Sequence, residues 1–192
     1  MGSGYLTNPL VFLLETLFDL YLIAVLLRFF LQWVRADFYN PISQFVVKVT
    51  SPLLLPLRRV IPPVRGLDTA SLVLAWLLKS LELALVLGLT GTSFSLLLPL
   101  LMAVPELVEL TINLFFWALL IQAILSWINP GVYNPAATLL YSLTLPLLRP
   151  AQRLIPPLGG IDLSPMVVMV ALIVLKMLVV PPLRGLALAV AT

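Results

Sequence analysis

With 192 residues, 61% of them hydrophobic and 10% charged, the chain is far more apolar than a soluble domain, in which about a quarter of residues carry charge. Its mean hydropathy is +1.13, its formal net charge is +3, and it contains neither Cys nor His. This excludes disulfides, thiolate catalysis, the usual zinc sites and imidazole ligation of haem, and it leaves the lipid bilayer as the solvent.

The opening Met-Gly-Ser-Gly-Tyr-Leu has no basic residue ahead of its apolar run and no small-residue cleavage site. The first apolar stretch, 9–34, is therefore expected to remain in the protein as a membrane span rather than be removed as a signal peptide. Leu6 stands where a myristoylation signal needs Ser or Thr. Asn8-Pro9 offers an N-cap followed by a proline at the first helical position. This span carries Glu15, Asp19 and Arg28. Each charge near a helix centre costs roughly 2.5–3.5 kcal/mol, against about 0.3–0.6 returned by each large apolar residue. The helix is thus not expected to face lipid with all three, although Arg28 is placed to reach the interface.

From Asn40 the sequence predicts a helix capped by Asn40, opened by Pro41 and ended before Pro52. Ile42, Phe45, Val46 and Val49 share an apolar face, with Ser43, Gln44 and Lys48 on another, the pattern of a helix lying in the interface. Pro52 and Pro56 then predict a kinked turn, its leucines at the acyl boundary and Arg58 and Arg59 at headgroup level. Asp68 caps a second span, 69–89, holding Lys79 and Glu82, which are three apart and able to pair. Gly88 and Gly91 near its end mark a terminus rather than a dimer seam.

The next apolar stretch, 94–104, is short and contains Pro99, so it reads as an interfacial or re-entrant connector. A third span, 105–128, opens at Pro105 and carries Glu109, Asn113 and Gln122. A second amphipathic segment with Arg149 and Arg153 follows. A fourth span, 163–183, begins with Ser164-Pro165 and contains Lys176.

Sliding the chain against itself by 94 residues superimposes Trp33 on Trp127 and Tyr39-Asn40-Pro41 on Tyr133-Asn134-Pro135. Without a gap the match runs on through Thr50 with Thr144, Pro52-Leu53-Leu54 with Pro146-Leu147-Leu148, and Pro56 with Pro150. It continues with Arg59 on Arg153, Ile61-Pro62-Pro63 on Ile155-Pro156-Pro157, Gly66 on Gly160 and Asp68 on Asp162. Leucine richness alone would not align Tyr, Asn, Pro, Arg, Gly and Asp in register, so the chain is a duplication. The predicted fold is an all-α membrane protein. It has four transmembrane helices in two parallel tandem repeats, 1–89 and 105–192 around a connector at 90–104. Two spans per repeat imply a pseudo-two-fold along the membrane normal.

Arg35, Lys48, Arg58, Arg59 and Arg65 lie between spans one and two, and Arg149 and Arg153 between spans three and four, whereas 90–104 has no basic residue. The positive-inside rule then puts both amphipathic segments in the cytoplasm and both termini in the periplasm, with Arg184 the one dissenting charge. The plainer reading of Arg58, Arg59, Arg149 and Arg153 is that they set topology and touch anionic headgroups. The sharper one is a docking surface for a protein partner. Arg59 and Arg153 serve it best, because that position is basic in both copies.

In register, Glu15 aligns with Glu109, Asp19 with Asn113, Arg28 with Gln122 and Gln32 with Ser126. These polar residues either fasten helices together or line an ion path through Glu15, Asp19, Glu109 and Asn113. Glu82 aligns with Lys176, and opposite charges at equivalent places suggest a bridge joining the two halves. No nucleophile, metal motif or substrate pocket accompanies the carboxylates, so no enzyme, cofactor or nucleic-acid partner is expected.

The run Leu-Leu-Arg-Phe-Phe-Leu-Gln-Trp-Val-Arg-Ala-Asp-Phe-Tyr-Asn-Pro from Leu26, Pro-Leu-Arg-Arg-Val-Ile-Pro from Pro56 and Arg-Pro-Ala-Gln-Arg-Leu-Ile-Pro-Pro from Arg149 resemble the YggT family. It is also called YlmG in Gram-positive bacteria and cyanobacteria. The resemblance covers essentially the whole chain, in the two-repeat proteobacterial form, and implies the bacterial inner membrane. It implies links to osmotic or salt tolerance and ion homeostasis, to cell division and, in plastids, to maturation of a b-type cytochrome; it supplies no catalytic residues. Three functions remain open: a scaffold or assembly factor, a component of ion or osmolyte transport, and a structural homo-oligomer that organises the membrane.

Overall fold

The computed structural model describes residues 4–64, 66–128, 134–154 and 162–191. Arg65, Tyr133, Ile155-Pro156-Pro157 and Gly160, all invoked above, lie outside them. Among the described residues the elements are α1 (Gly4–Trp33), α2 (Pro41–Val60), α3 (Thr69–Leu89), α4 (Leu97–Ile128), α5 (Pro135–Leu154) and α6 (Ser164–Ala191). Four of them, α1, α3, α4 and α6, are long and apolar enough to cross a bilayer. Outward faces bearing Leu13, Leu17, Leu20, Leu81, Met177 and Leu178 are apolar and exposed, as lipid-facing surfaces are.

Within each half the two long helices pack on each other and the amphipathic helix packs across their shared end. Asn40 and Asn134 cap α2 and α5 alike, each Oδ1 accepting the N–H two residues on at 2.9 Å. Asn40 Nδ2 also donates to the Pro135 carbonyl at 2.7 Å. That bond puts α2 and α5 at the same end of the bundle, so the repeats run parallel. The halves are further joined by α3 against α4, where Trp76 Nε1 donates to the Leu100 carbonyl at 2.9 Å, and by the edge-on contact of Phe30 with Phe115 at 4.8 Å. The join is one-sided, since α6 and α1 do not touch among the described residues.

Several expected boundaries are overturned, all at prolines. α2 is one helix through Pro52 and Pro56, and α5 is one helix through Pro146 and Pro150. A proline removes the bond to the carbonyl four residues back. Here all four prolines are on the exposed face, where water or headgroups can serve the freed carbonyls. The third span begins at Leu97, not Pro105: Pro99 falls in its first turn, where a missing N–H costs no bond, and the helix continues through the buried Pro105. α1 likewise starts before Pro9, and α6 passes Pro181 and Pro182 to Ala191. The protein-facing side of α2 is Ser43, Val46, Thr50 and Leu54, while Phe45 points outward at 64% exposure. The apolar side expected to face the membrane is therefore shared between protein and surroundings. At the end of α3, Gly91 takes φ +70° and closes the helix, the left-handed turn glycine adopts without strain.

Candidate functional site

Two kinds of polar site are built on this frame, one within the spans and one where the amphipathic helices meet them. In the first half Lys79 of α3 is buried and donates to Asp19 of α1 at 3.0 Å and to both Glu82 oxygens at 2.8 and 3.0 Å. In the second half Lys176 of α6 donates to Asn113 of α4 at 3.0 Å and lies 3.7 Å from Glu109. The expected bridge between Glu82 and Lys176 is absent. Each finds its partner in its own half: Glu82 pairs with Lys79 one turn back on α3, and Lys176 with Glu109 across α4/α6. The second lysine sits three residues further along its helix than Lys79 does in register, and its carboxylate four residues earlier. Between antiparallel helices those two displacements compensate, moving the pair one turn toward the terminal end of the bundle.

Arg184, the dissenting charge, lies inside α6 and pairs with Glu106 at 2.9 Å and Glu109 at 2.6 Å. It is held at the terminal end by two carboxylates rather than by topology. Glu106 was missed in the sequence because the 94-residue register places Phe12 opposite it, so nothing in the first copy marks the position. Glu15 is exposed, and none of Glu15, Asp19, Glu109 and Asn113 bonds to a residue of the other half.

At the amphipathic end the halves repeat the same ties with different chemistry. Arg28 Nη1 donates to Thr50 Oγ1 at 2.7 Å, to the Val47 carbonyl at 3.1 Å and to Ser51 Oγ at 3.1 Å. In the equivalent place Thr144 donates to Gln122 Oε1. Thr50 and Thr144 are both fully buried. Arg58 reaches Asp68 with Nη2 at 2.5 Å and Nε at 3.3 Å, and Gln152 Nε2 reaches Asp162 at 2.9 Å. Asp68 is expected from the sequence as a helix cap, but its side chain makes no capping bond to α3 and instead anchors the end of α2 through Arg58, while Asp162 accepts the Ser164 N–H at 2.9 Å and anchors α5 through Gln152. Burial pushes the Asp68 carboxyl up, but hydrogen bonds from Arg58 and Ser71 outweigh it and hold the group below its ordinary value. Asp162 is likewise lowered: its slight burial is outweighed by bonds from Ser164 and Gln152.

Arg58 thus has a carboxylate partner within its own half, whereas Lys48, Arg59, Arg149 and Arg153 are exposed and make no ion pair with a described residue. Both amphipathic helices carry this surplus positive charge on the side away from the bundle.

The CCB3/YggT family model matches residues 7–89 and again 101–183, the same 94-residue displacement that the self-alignment gives. The chain belongs to this family. Similar relatives include an uncharacterized protein of Pseudomonas aeruginosa, 48% identical over 180 residues, covering 91% of this chain and 90% of the relative. The uncharacterized protein YggT of Escherichia coli K12 is 47% identical over 172 residues, 88% of each chain, and one from Haemophilus influenzae is 41% identical over 172 residues, 89% and 91%. No solved structure matches. For this YggT-family protein the two-repeat form is therefore read independently from sequence register, family match and helix packing.

Proposed function

We propose that this YggT-family protein is a non-catalytic inner-membrane scaffold or assembly factor that engages a protein partner, or anionic lipid, through its two amphipathic helices on the cytoplasmic side. The observation that carries the reading is the division of charge. The intramembrane lysines and Arg184 are neutralised inside their own halves, while Lys48, Arg59, Arg149 and Arg153 stay outside and unpaired. The basic surplus at that end supports the orientation with both termini periplasmic, and the resemblance supports a setting in osmotic stress or cell division. The same division of charge weakens the transport alternative, since the polar residues bond to each other rather than lining a shared path.

Photo-crosslinkers at positions 59 and 153 in the intact membrane test this reading. Reproducible capture of one protein from both positions supports it. Capture of lipid and further copies of the chain alone supports a membrane-organising oligomer instead. Ion flux in liposomes that is abolished by D19L/N113L overturns it in favour of transport.

A further inference from the structure

One cavity of about 360 Å³ opens between the end of α1 and the face of α2, and its polar lining is Arg28, Gln32, Arg35, Ser43 and Arg58. Three arginines line it, and no carboxylate does. Asp68, outside the lining, pairs directly with Arg58. Arg28 is 7% exposed and all its bonds go from Nη1 to neutral acceptors, leaving Nε and Nη2 unspent. Arg58 likewise keeps Nη1 free, after spending Nη2 and Nε on Asp68 and Gln32.

Two further features mark the cavity as a binding site. Ser43, 6% exposed, lines it with a buried hydroxyl that has no hydrogen-bond partner. Leaving such a group unpaired is unfavourable unless a ligand completes it. Arg35 adopts φ +54° in the turn that closes α1, its N–H bonded to the Gln32 carbonyl at 3.2 Å and the next N–H to the Leu31 carbonyl at 2.9 Å. Glycine or asparagine is the ordinary residue there. An arginine held in the left-handed region beside two others is strain at a cavity wall.

The second half supplies an internal control, because all three positive charges and the serine hydroxyl are lost in it. Arg28 becomes Gln122, Arg35 becomes Asn129, Ser43 becomes Ala137 and Arg58 becomes Gln152. The ties between Thr144 and Gln122 and between Gln152 and Asp162 persist, so packing needs the hydrogen bonds and not the positive charges. We infer that the first half alone holds an anion site for a phosphate group, bound by Arg28, Arg35 and Arg58 with Ser43 donating to a phosphate oxygen. Planar, multiply donating guanidiniums suit phosphate. The site is independent of the scaffold surface, which uses Arg59, Arg149 and Arg153.

The phosphate belongs either to an anionic phospholipid headgroup or to a small soluble phosphate, and the test separates them. The full chain is placed in phosphatidylcholine nanodiscs at fixed ionic strength. Thermal unfolding is followed with phosphatidylglycerol added to the discs or with inorganic phosphate titrated outside them. A ligand that binds only the folded state raises the midpoint by mass action. Arg28→Gln with Arg58→Gln copies the second half, so the variant is expected to fold, and to lose affinity by at least about tenfold as two charge-assisted contacts go. Stabilisation by phosphatidylglycerol alone assigns the lipid, and stabilisation by inorganic phosphate assigns the soluble group. Absence of both effects in the unaltered protein overturns the site. So does an effect undiminished in R28Q/R58Q, or one lost equally in Arg59→Gln outside the cavity. Should R28Q/R58Q not fold, Ser43→Ala and Arg35→Gly take its place: a weakened effect supports the site and an undiminished one overturns it.

Discussion

Lys79→Met should be among the most damaging single substitutions in the membrane-embedded part. The Lys79 side chain is 8% exposed and that of Glu82 3%, and Lys79 is the one cation bonded to both Glu82 and Asp19. Removing one member of a buried ion pair leaves an uncompensated charge and costs about 3–5 kcal/mol. Removing both charges is close to neutral, so Lys79→Met with Glu82→Gln should recover most of that loss, less the part owed to Asp19, which is 40% exposed. The second half provides the scale. Lys176 and Glu109 are 33% and 26% exposed, so Lys176→Met should cost about 1 kcal/mol or less. Reversible unfolding of the three variants in mixed micelles measures the order directly. Equal costs for Lys79→Met and Lys176→Met, or a double variant no more stable than Lys79→Met, would refute the view that burial sets the importance of these charges.

The paired aspartates at the amphipathic end predict an acid transition. Because the folded Asp68 and Asp162 carboxyls lie below the ordinary value of 3.8, the unfolded chain binds more protons as pH falls, and stability rises with pH through that window. Their contribution is complete above the unfolded value and lost as pH drops through the folded one; Asp68→Asn should flatten the curve, as thermal unfolding across that range would show. Arg184→Leu should lower stability by about 1 kcal/mol, and Glu106→Gln by less, since Arg184 is 40% exposed and keeps Glu109; denaturation midpoints decide it. Arg35→Gly should raise the unfolding midpoint without ligand, by up to about 1 kcal/mol, because it relieves the left-handed arginine.

The fold was legible because duplication marks it twice. Asn40, Thr50 and Asp68 each have a copy at Asn134, Thr144 and Asp162, and each pair has a matching structural task. Prolines misled because their effect depends on which face they occupy and how far into the helix they fall. Pro52 and Pro56 are harmless on the exposed side, and Pro99 is harmless in a first turn. Neither property can be read before the helix is packed. Charge pairing was misread for a related reason. Register aligns Glu82 with Lys176, but contact follows packing, and each has an opposite charge nearer at hand, Glu82 on its own helix and Lys176 on the helix beside it. The cavity could be glimpsed only in part, since Ser43 looked like an outward polar residue until α2 was seen to turn it inward.

A duplicated chain separates what folding requires from what it does not, since both copies must fold but need not act alike. Thr50 and Thr144 are both fully buried and both receive a polar group from the long helix beside them. Glutamine satisfies that threonine in the second copy, and glutamine satisfies Asp162 where arginine satisfies Asp68. The hydrogen bond is common to the halves and the positive charge is not. A buried arginine is harder to accommodate than a glutamine, because its desolvation must be offset, and the direct hydrogen-bond partners of Arg28 are all neutral. The first copy therefore carries positive charge at places where the second makes the same ties with neutral glutamines. Its three guanidiniums, one of them on a strained backbone, make physical sense together as a means of holding an anion.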